Sequence, residues 1–287
     1  MVPTDLLRTG PTLVMGIVNV TPDSFADPPR GVEAAIAWGL ALAEQGADLI
    51  DVGGVSTRPG SLGEGSDGGS PATPIHPVSE EEELARVVPV VRALAEAGLT
   101  ISVDTFRARV AAAALAAGAS LVNDVTGGLA DPDLLRVVAD SGTPVVLQHW
   151  RTPFDHRPSH VNVVAEVCAE LADRADRALA AGIPQSRLIL DPGIGFGKSA
   201  ADNWALVAHA GAIAGLGYPV LWGVSRKRFL AEAYARPTTP PERDEAGLAV
   251  TTLLARERVW AVRTHAVAQA RTAIAVAEAI LAAEGAA

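Results

Sequence analysis

The chain has 287 residues, of which 49% are hydrophobic and 20% charged, and its formal net charge is −10. This length and hydrophobic content suit one large buried core, so we expect a single domain over residues 1–287. The acidic surplus argues against nonspecific binding to nucleic acid, because phosphate backbones are held by an excess of Lys and Arg.

Cys168 is the single cysteine of the sequence and lies in an amphipathic helical stretch. A disulfide framework or a zinc cluster needs more thiols, so we expect Cys168 to be a buried helix residue. The sequence shows neither a charged leader followed by an apolar segment nor a run of about 18 apolar residues. We therefore expect a cytoplasmic protein with no membrane partner.

Eight short apolar runs rich in Val, Ile and Leu recur along the chain, and a helical pattern follows each of them. The predicted strands span 12–20, 47–54, 100–105, 120–125, 144–149, 188–193, 219–225 and 259–265. Strands that are apolar on both faces and alternate with amphipathic helices predict a parallel sheet covered by helices. Eight such units predict an α/β fold of the (β/α)8 TIM barrel type, with a doubly wound open sheet as the alternative.

Several helices carry recognisable end signals. Helical patterns over 33–45 and 111–117 each stop at a glycine, and Ser79 with Glu82 forms a capping-box pattern. Residues 60–78 break the rhythm, because they are rich in Gly, Ser and Pro and bury little apolar surface. We expect an extended mobile loop over 55–78 after the second strand, which with the 20–30 loop would close over the site.

Polar side chains end every predicted strand. In barrels of this kind the chemistry lies at the C-terminal ends of the strands. Any single strand-end Asp or Asn could simply cap the next helix, but the whole set indicates a site. The strand-end residues are Asn19, Asp51, Thr57, Arg58, Asp104, Asn123, Asp124, Gln148, His149, Asp191, Lys198, Ser225, Arg226, Lys227, Arg228, Arg263 and His265.

Asp104 and Asp191 directly end apolar runs. A buried carboxylate without donors costs several kcal/mol by a rough estimate, and a ligand rich in N–H groups would supply donors. Asn123 offers both a donor and an acceptor. Together the three residues suit a planar heterocycle that carries amino, ring N–H and carbonyl groups, such as a pterin.

Basic groups on the same barrel face suit a diphosphate. Arg58, Arg263 and His265 could hold its oxygens, and Asn19 could ligate an accompanying Mg2+ through oxygen. For Arg58 alone, a surface salt bridge is a credible alternative. The Gly-rich run at 193–197 could add backbone N–H groups to a phosphate, although the pattern is weak evidence. His149 and His156 are interpreted as structural residues.

Six segments, in this order, resemble the signature segments of dihydropteroate synthases, and the HWR at 149–151 resembles actinobacterial members. The six segments are 15–25 (MGIVNVTPDSF), 51–60 (DVGGVSTRPG), 102–105 (SVDT), 122–125 (VNDV), 191–198 (DPGIGFGK) and 225–229 (SRKRF). The resemblance implies a pterin-binding barrel that joins a dihydropterin methyl diphosphate to 4-aminobenzoate with Mg2+, and a homodimer.

The resemblance also implies roles for individual residues. It implies that Asp104, Lys227 and Arg263 are catalytic. The implied pterin ligands are Asp104, Asn123, Asp191 and Lys227. The implied diphosphate ligands are Asn19, Arg58, Arg263 and His265, with Asn19 also at the metal. The 4-aminobenzoate site would be bordered by Thr57, Arg58, Pro59 and Phe196.

The sequence departs from that family pattern at several positions. Val55 stands where a Glu is usual, Ala266 where an Asp is usual, and Gln148 where a Met is usual, while Pro28 and Pro29 replace glycines. Three alternatives therefore stay open: a paralogue of the synthase without activity, a pterin-binding methyltransferase barrel, and a non-catalytic barrel.

Overall fold

A computed structural model describes Leu7 and residues 10–20, 31–55, 78–151 and 160–285. Its strands are β1 (Leu13–Asn19), β2 (Leu49–Gly53), β3 (Ile101–Asp104), β4 (Leu121–Asp124), β5 (Val145–Gln148), β6 (Leu188–Asp191), β7 (Leu221–Trp222) and β8 (Ala261–Thr264). Its helices are α1 (Val32–Glu44), α2 (Glu80–Glu96), α3 (Ala108–Ala116), α4 (Leu134–Ser141), α5 (Val163–Ala180), α6 (Ala200–Ala208), α7 (Ala210–Ala214), α8 (Asp244–Arg256) and α9 (Val267–Gly285).

The eight strands are all parallel, in the order β6-β5-β4-β3-β2-β1-β8-β7. β1 pairs with both β2 and β8, and an isolated bridge between Leu190 and Val220 joins the two remaining edges. The sheet therefore closes on itself, which confirms the predicted (β/α)8 barrel and rules out the open sheet. Every predicted strand is present, and each is shorter than its apolar run.

Successive residues of a strand face opposite sides, so inward-facing positions recur every second residue. Near the N-terminal ends of the strands these positions are apolar and pack as one cluster, separate from the helix-facing core. That cluster includes Met15, Leu49, Leu121, Val146, Ile189, Leu221 and Ala261. Two residues further along the same strands come Asp51, Asn123, Gln148, Asp191 and Arg263. The barrel interior is thus filled with apolar side chains at the N-terminal ends of the strands and with polar side chains at their C-terminal ends.

The helix ends follow local chemistry. The predicted capping box is confirmed, because Ser79 Oγ accepts from Glu82 N at 3.2 Å and Glu82 Oε2 accepts from Ser79 N at 2.9 Å. The third predicted helix begins earlier than expected, at Ala108, whose N–H donates to Asp131 Oδ2 at 2.8 Å. Cys168 lies in a helix, α5, as expected, but it is only partly buried against the core.

The predicted loops at 20–30 and 55–78 fall mostly outside the described residues. The described chain on either side of the second loop is held by arginines: Arg86 donates to Gly54 O at 3.1 Å and Arg107 donates to Val78 O at 2.8 Å. In the part of the chain that is described, no helix is both long enough and apolar enough to cross a bilayer.

Candidate active site

Four polar side chains from β2, β3, β4 and β8 form one buried cluster at the C-terminal end of the barrel. Asp51 Oδ2 accepts hydrogen bonds from Arg263 Nε at 2.6 Å and from Asn123 Nδ2 at 3.1 Å. Arg263 also donates from Nη2 to Asp104 Oδ2 at 3.0 Å. One guanidinium is therefore shared by two carboxylates, and these charge-assisted bonds fix the orientation of all four groups.

Three residues of this cluster each have one side-chain oxygen without a hydrogen-bond partner among the described residues. Asp51 Oδ1, Asp104 Oδ1 and Asn123 Oδ1 are buried and have no hydrogen-bond partner among the described residues. An unsatisfied buried acceptor costs about 1–3 kcal/mol. A ligand that brings N–H donors to these oxygens would recover that free energy, which is the chemistry expected from the sequence.

The carboxyl groups of the site hold their protons unusually tightly. Burial raises the pKa of Asp104 to about 7, with a further rise from the charge of Asp51 and an opposing effect of Arg263. Burial likewise raises the pKa of Asp191 to about 6, although the hydrogen bond from the Gly193 backbone N–H lowers it in part. Near neutral pH, Asp104 is thus divided between its two protonation states, and a bound donor would favour the carboxylate.

The Gly-rich turn after β6 is held by its own hydrogen bonds. Gly193 N donates to Asp191 Oδ1 at 2.7 Å, and Gly195 N donates to Asn203 Oδ1 at 2.7 Å. Phe196 N donates to Gly193 O at 3.1 Å. These three N–H groups are already used inside the protein, which contradicts the expectation that the run cradles a phosphate through them.

Lys227 follows β7 through an uncommon backbone conformation. Arg226 has a left-handed φ of 59°, and Asp244 holds its guanidinium through two contacts of 3.0 Å. The Lys227 side chain lies over Phe196, with Nζ 4.1 Å from the ring centroid, a cation–π distance. Gly195 leaves room for it, since a Cβ there would lie 2.9 Å from Lys227 Cδ.

His265 and Asn19 complete the C-terminal face. Ser225 Oγ lies 3.0 Å from His265 Nδ1 and accepts from His265 N at 3.2 Å. The Ser225 hydroxyl thus contacts both the backbone and the ring of His265 and fixes the orientation of the imidazole. Asn19 is half-buried and ends β1 in the same pairing row as Gly53, Asp104 and Asn123.

The structure gathers the predicted residues into two neighbouring groups. Asp104, Asn123 and Arg263 lie in the buried cluster, and Asp191, Lys227 and Phe196 lie around the β6 and β7 ends. Asn19 and His265 stand at the same end of the barrel. The predicted residues Thr57, Arg58 and Pro59 lie outside the described residues.

Two features were missed from the sequence. Asp51 was seen as a strand-end residue but received no role, although it binds both Arg263 and Asn123. A carboxylate inside the apolar segment LIDVG was the available signal. The buried ring of His149, interpreted as structural, contacts Lys198 at 2.9 Å, a pair that no sequence spacing announces.

Fold and site together define a barrel enzyme that receives an N–H-rich heterocycle at the C-terminal ends of its strands. A model of the pterin binding enzyme family matches residues 15–265. The dihydropteroate synthase of Mycobacterium leprae (strain TN) is 41% identical over 271 residues, which cover 90% of each chain. The chain belongs to the dihydropteroate synthase family, whose members are transferases of folate biosynthesis.

Solved structures agree with this assignment. The dihydropteroate synthase of Xanthomonas albilineans with 4-aminobenzoic acid superposes with a TM-score of 0.84 at 46% identity, covering 96% of this chain and 95% of that one. The same enzyme in complex with 7,8-dihydropteroate gives a TM-score of 0.81 at 43% identity, with 96% of both chains covered. The predicted family and its transferase class are therefore confirmed.

Proposed function

We propose that this chain joins (7,8-dihydropterin-6-yl)methyl diphosphate to 4-aminobenzoate, giving 7,8-dihydropteroate and pyrophosphate in folate biosynthesis. The buried, unpartnered oxygens of Asp104 and Asn123 carry the proposal, together with the buried Asp191 at the end of β6. A pterin ring presents an amino group, ring N–H groups and a carbonyl along its edges. These groups match two carboxylates and one amide in donor and acceptor character.

The reaction breaks the C–O bond between the pterin methylene and the diphosphate, and the electron pair leaves with pyrophosphate. The amine nitrogen of 4-aminobenzoate then forms the new C–N bond and releases its proton to solvent. No covalent bond to the protein is needed, so the side chains bind, orient and stabilise charge. Asp104 would stabilise the electron-poor pterin as a carboxylate, Arg263 would hold Asp104, and Lys227 would bind the ring from the Phe196 side.

The diphosphate would lie nearest to Asn19, His265 and Arg58. The imidazole of His265, which Ser225 holds through Nδ1, would bind a phosphate oxygen as a hydrogen-bond donor. Arg263 is already engaged by two carboxylates, so its contribution to the diphosphate would be mainly its charge.

Asn19 fits the expected Mg2+, since it ends a strand half-buried and offers the hard oxygen ligand that this ion takes beside phosphates and waters. When bound, Mg2+ neutralises charge on the departing pyrophosphate.

The 4-aminobenzoate would lie against Phe196, which is half-buried beside Lys227. Thr57, Arg58 and Pro59 remain the predicted partners of its carboxylate end. An aromatic face next to an ammonium group suits a planar benzoate, because the ring stacks and the charges attract.

A homodimer is part of the same proposal. Arg256 of α8 and Glu284 of α9 form an ion pair at 2.6 Å. One turn earlier on each helix lie the exposed side chains of Leu253 and Ile280, and Val276 lies one further turn back on α9. An apolar stripe edged by charges supports contact with a second copy of this chain.

The proposal is tested by mixing the purified protein with the pterin methyl diphosphate and Mg2+, with and without 4-aminobenzoate. Pyrophosphate release and detection of dihydropteroate by mass, both dependent on the two substrates, are the expected results. Tight pterin binding without turnover would instead identify an inactive paralogue and direct attention to Val55 and Ala266.

A further inference from the structure

A polar chain of Lys198, His149 and Glu170 contacts the Gly-rich turn after β6. Lys198 Nζ lies 2.9 Å from His149 Nδ1, 2.9 Å from Gly193 O and 3.1 Å from Phe196 O. An ammonium group has three N–H donors, and these three acceptors use all of them. Burial lowers the pKa of Lys198 to about 7, and these three acceptors favour its protonated form inside the protein.

His149 is oriented to act as an acceptor for Lys198. Its ring is fully buried, and its Nε2 lies 3.0 Å from Oε2 of Glu170. Arg151 binds the other oxygen of the same carboxylate, Glu170 Oε1, at 2.7 Å. Burial lowers the pKa of His149 to about 3, so the ring is neutral at physiological pH. With its one proton on Nε2 facing Glu170, Nδ1 is left to accept from the ammonium.

The contacts of Lys198 define the shape of the turn. Lys198 donates to the carbonyls of Gly193 and Phe196, and the Phe196 N–H donates to the same Gly193 carbonyl in the hydrogen bond that closes the turn. The turn lies directly on the end of β5, since a Cβ at Gly193 would come within 1.8 Å of His149 O. The same turn carries the Phe196 ring that Lys227 covers.

We propose that Lys198, oriented by neutral His149, is a positioning residue that holds the 193–197 turn so that Phe196 stacks beneath Lys227, and thereby sets the affinity for 4-aminobenzoate. The inference rests on the proposed function, in which Phe196 borders that substrate. Among the described residues Lys198 makes no hydrogen bond to Asp51, Asp104 or Asn123, and it acts on Asp191 only through its charge and through the Gly193 backbone, so we expect pterin binding to change less than 4-aminobenzoate binding.

The test is Lys198→Met, which keeps a long unbranched side chain and removes the donors. We expect KM for 4-aminobenzoate to rise about tenfold, kcat to change by less than about threefold, and the affinity for pterin methyl diphosphate, measured by calorimetry, to stay within about twofold. Arg136→Met, at an exposed cation of α4, is the matched control and should leave every constant unchanged.

His149→Leu supplies an independent variant if Lys198→Met does not fold. It removes one acceptor of the ammonium and leaves both carbonyl contacts, so we expect a smaller rise in the same KM, about threefold. Because His149 acts through Lys198, the double variant should have the KM of Lys198→Met alone.

The inference is overturned if KM for 4-aminobenzoate is unchanged in Lys198→Met, if pterin affinity falls in parallel with it, or if the two substitutions add. Failure of the proposed function looks different, since the unaltered protein would then make no dihydropteroate at all.

Discussion

Asp51 contacts the proposed pterin ligand Asn123 and the guanidinium of Arg263 through a single oxygen atom. By accepting from Asn123 Nδ2 it turns the amide so that Oδ1 is left for a ligand. Its charge also adds to the effect of burial in raising the pKa of Asp104. A residue that touches no reacting atom thus controls the orientation of one proposed ligand and the protonation of another.

Asp104→Asn tests the central carboxylate. The substitution removes a charged acceptor, which is worth about 1.5–3 kcal/mol, so we expect pterin affinity to fall roughly 10- to 100-fold and synthesis to be abolished. Calorimetry and product detection are the measurements, with circular dichroism to follow the fold. Asp140→Asn, on the exposed face of α4, is the control. Unchanged turnover in Asp104→Asn would remove Asp104 from the site.

The pH dependence of pterin binding should report the same groups. The pKa values of Asp104 and Asp191 in the free protein are raised to about 7 and about 6, so both carboxyls gain charge between roughly pH 5 and pH 8. Donors on the pterin bind the charged forms better, so affinity should increase as pH rises through this window. The 6-hydroxymethyl pterin, which lacks a titrating phosphate, is the probe.

Asp51→Asn provides the specific check on that profile. It removes a negative charge that raises the pKa of Asp104, so the upper midpoint of the affinity profile should move to lower pH. A profile that is the same in both proteins would show that Asp104 does not govern binding.

At the scale of residues, the sequence indicated which side chains belong to the site better than it indicated which of them are in contact. Asp104, Asn123 and Asp191 were recognisable because each interrupts an apolar run at a strand end. Arg263 and Asp51 are separated by 212 positions, and only closure of the barrel brings them together. The pairing of Lys198 with His149 likewise depends on the neighbouring positions of β5 and β6.

Among the elements, the β6 turn is the most constrained backbone of the site. Gly193→Ala imposes a left-handed φ of 67° on a residue with a side chain, and its Cβ would overlap His149 O. The conformation costs about 1–2 kcal/mol and the overlap adds about 1–3 kcal/mol. Urea denaturation should show the sum of these two losses.

Gly217→Ala is the matched variant for that measurement. Gly217 also has a positive φ, of 80°, but a Cβ there would meet nothing within 4 Å. Only the conformational cost applies, so this variant should lose about 1–2 kcal/mol. An equal decrease in the free energy of unfolding of the two alanine variants would mean that the turn can move away from β5 at little cost.

The elements themselves were largely predictable. Strands that are apolar on both faces, each followed by a helical pattern, gave all eight positions of the barrel. The start of α3 was not predictable, because its first N–H groups include one that is held by Asp131, a side chain 23 positions further on. The use of the Gly-rich N–H groups by Asp191 and Asn203 was equally invisible in the pattern.

For the whole molecule, the prediction concerns assembly. If α8 and α9 form the contact between two copies, Leu253→Glu places a charge in the apolar stripe and should halve the mass measured by light scattering. Leu179→Glu, at a partly exposed leucine of α5, is the control and should leave the mass unchanged. A monomeric unaltered protein, or a dimer that survives Leu253→Glu, would contradict the proposed contact.

Strands β6 and β7 are joined by the isolated bridge between Leu190 and Val220, so this pairing is the weakest of the barrel. Breathing motions should therefore begin there, and in hydrogen–deuterium exchange the Leu190 amide, bonded to Pro219 O, should exchange before the amides of β3 and β4. Asp191 and Lys227 flank this line. Thermal opening of the barrel would then separate the Asp191 carboxylate from the Lys227 ammonium first. Activity should therefore decrease on warming before the protein unfolds.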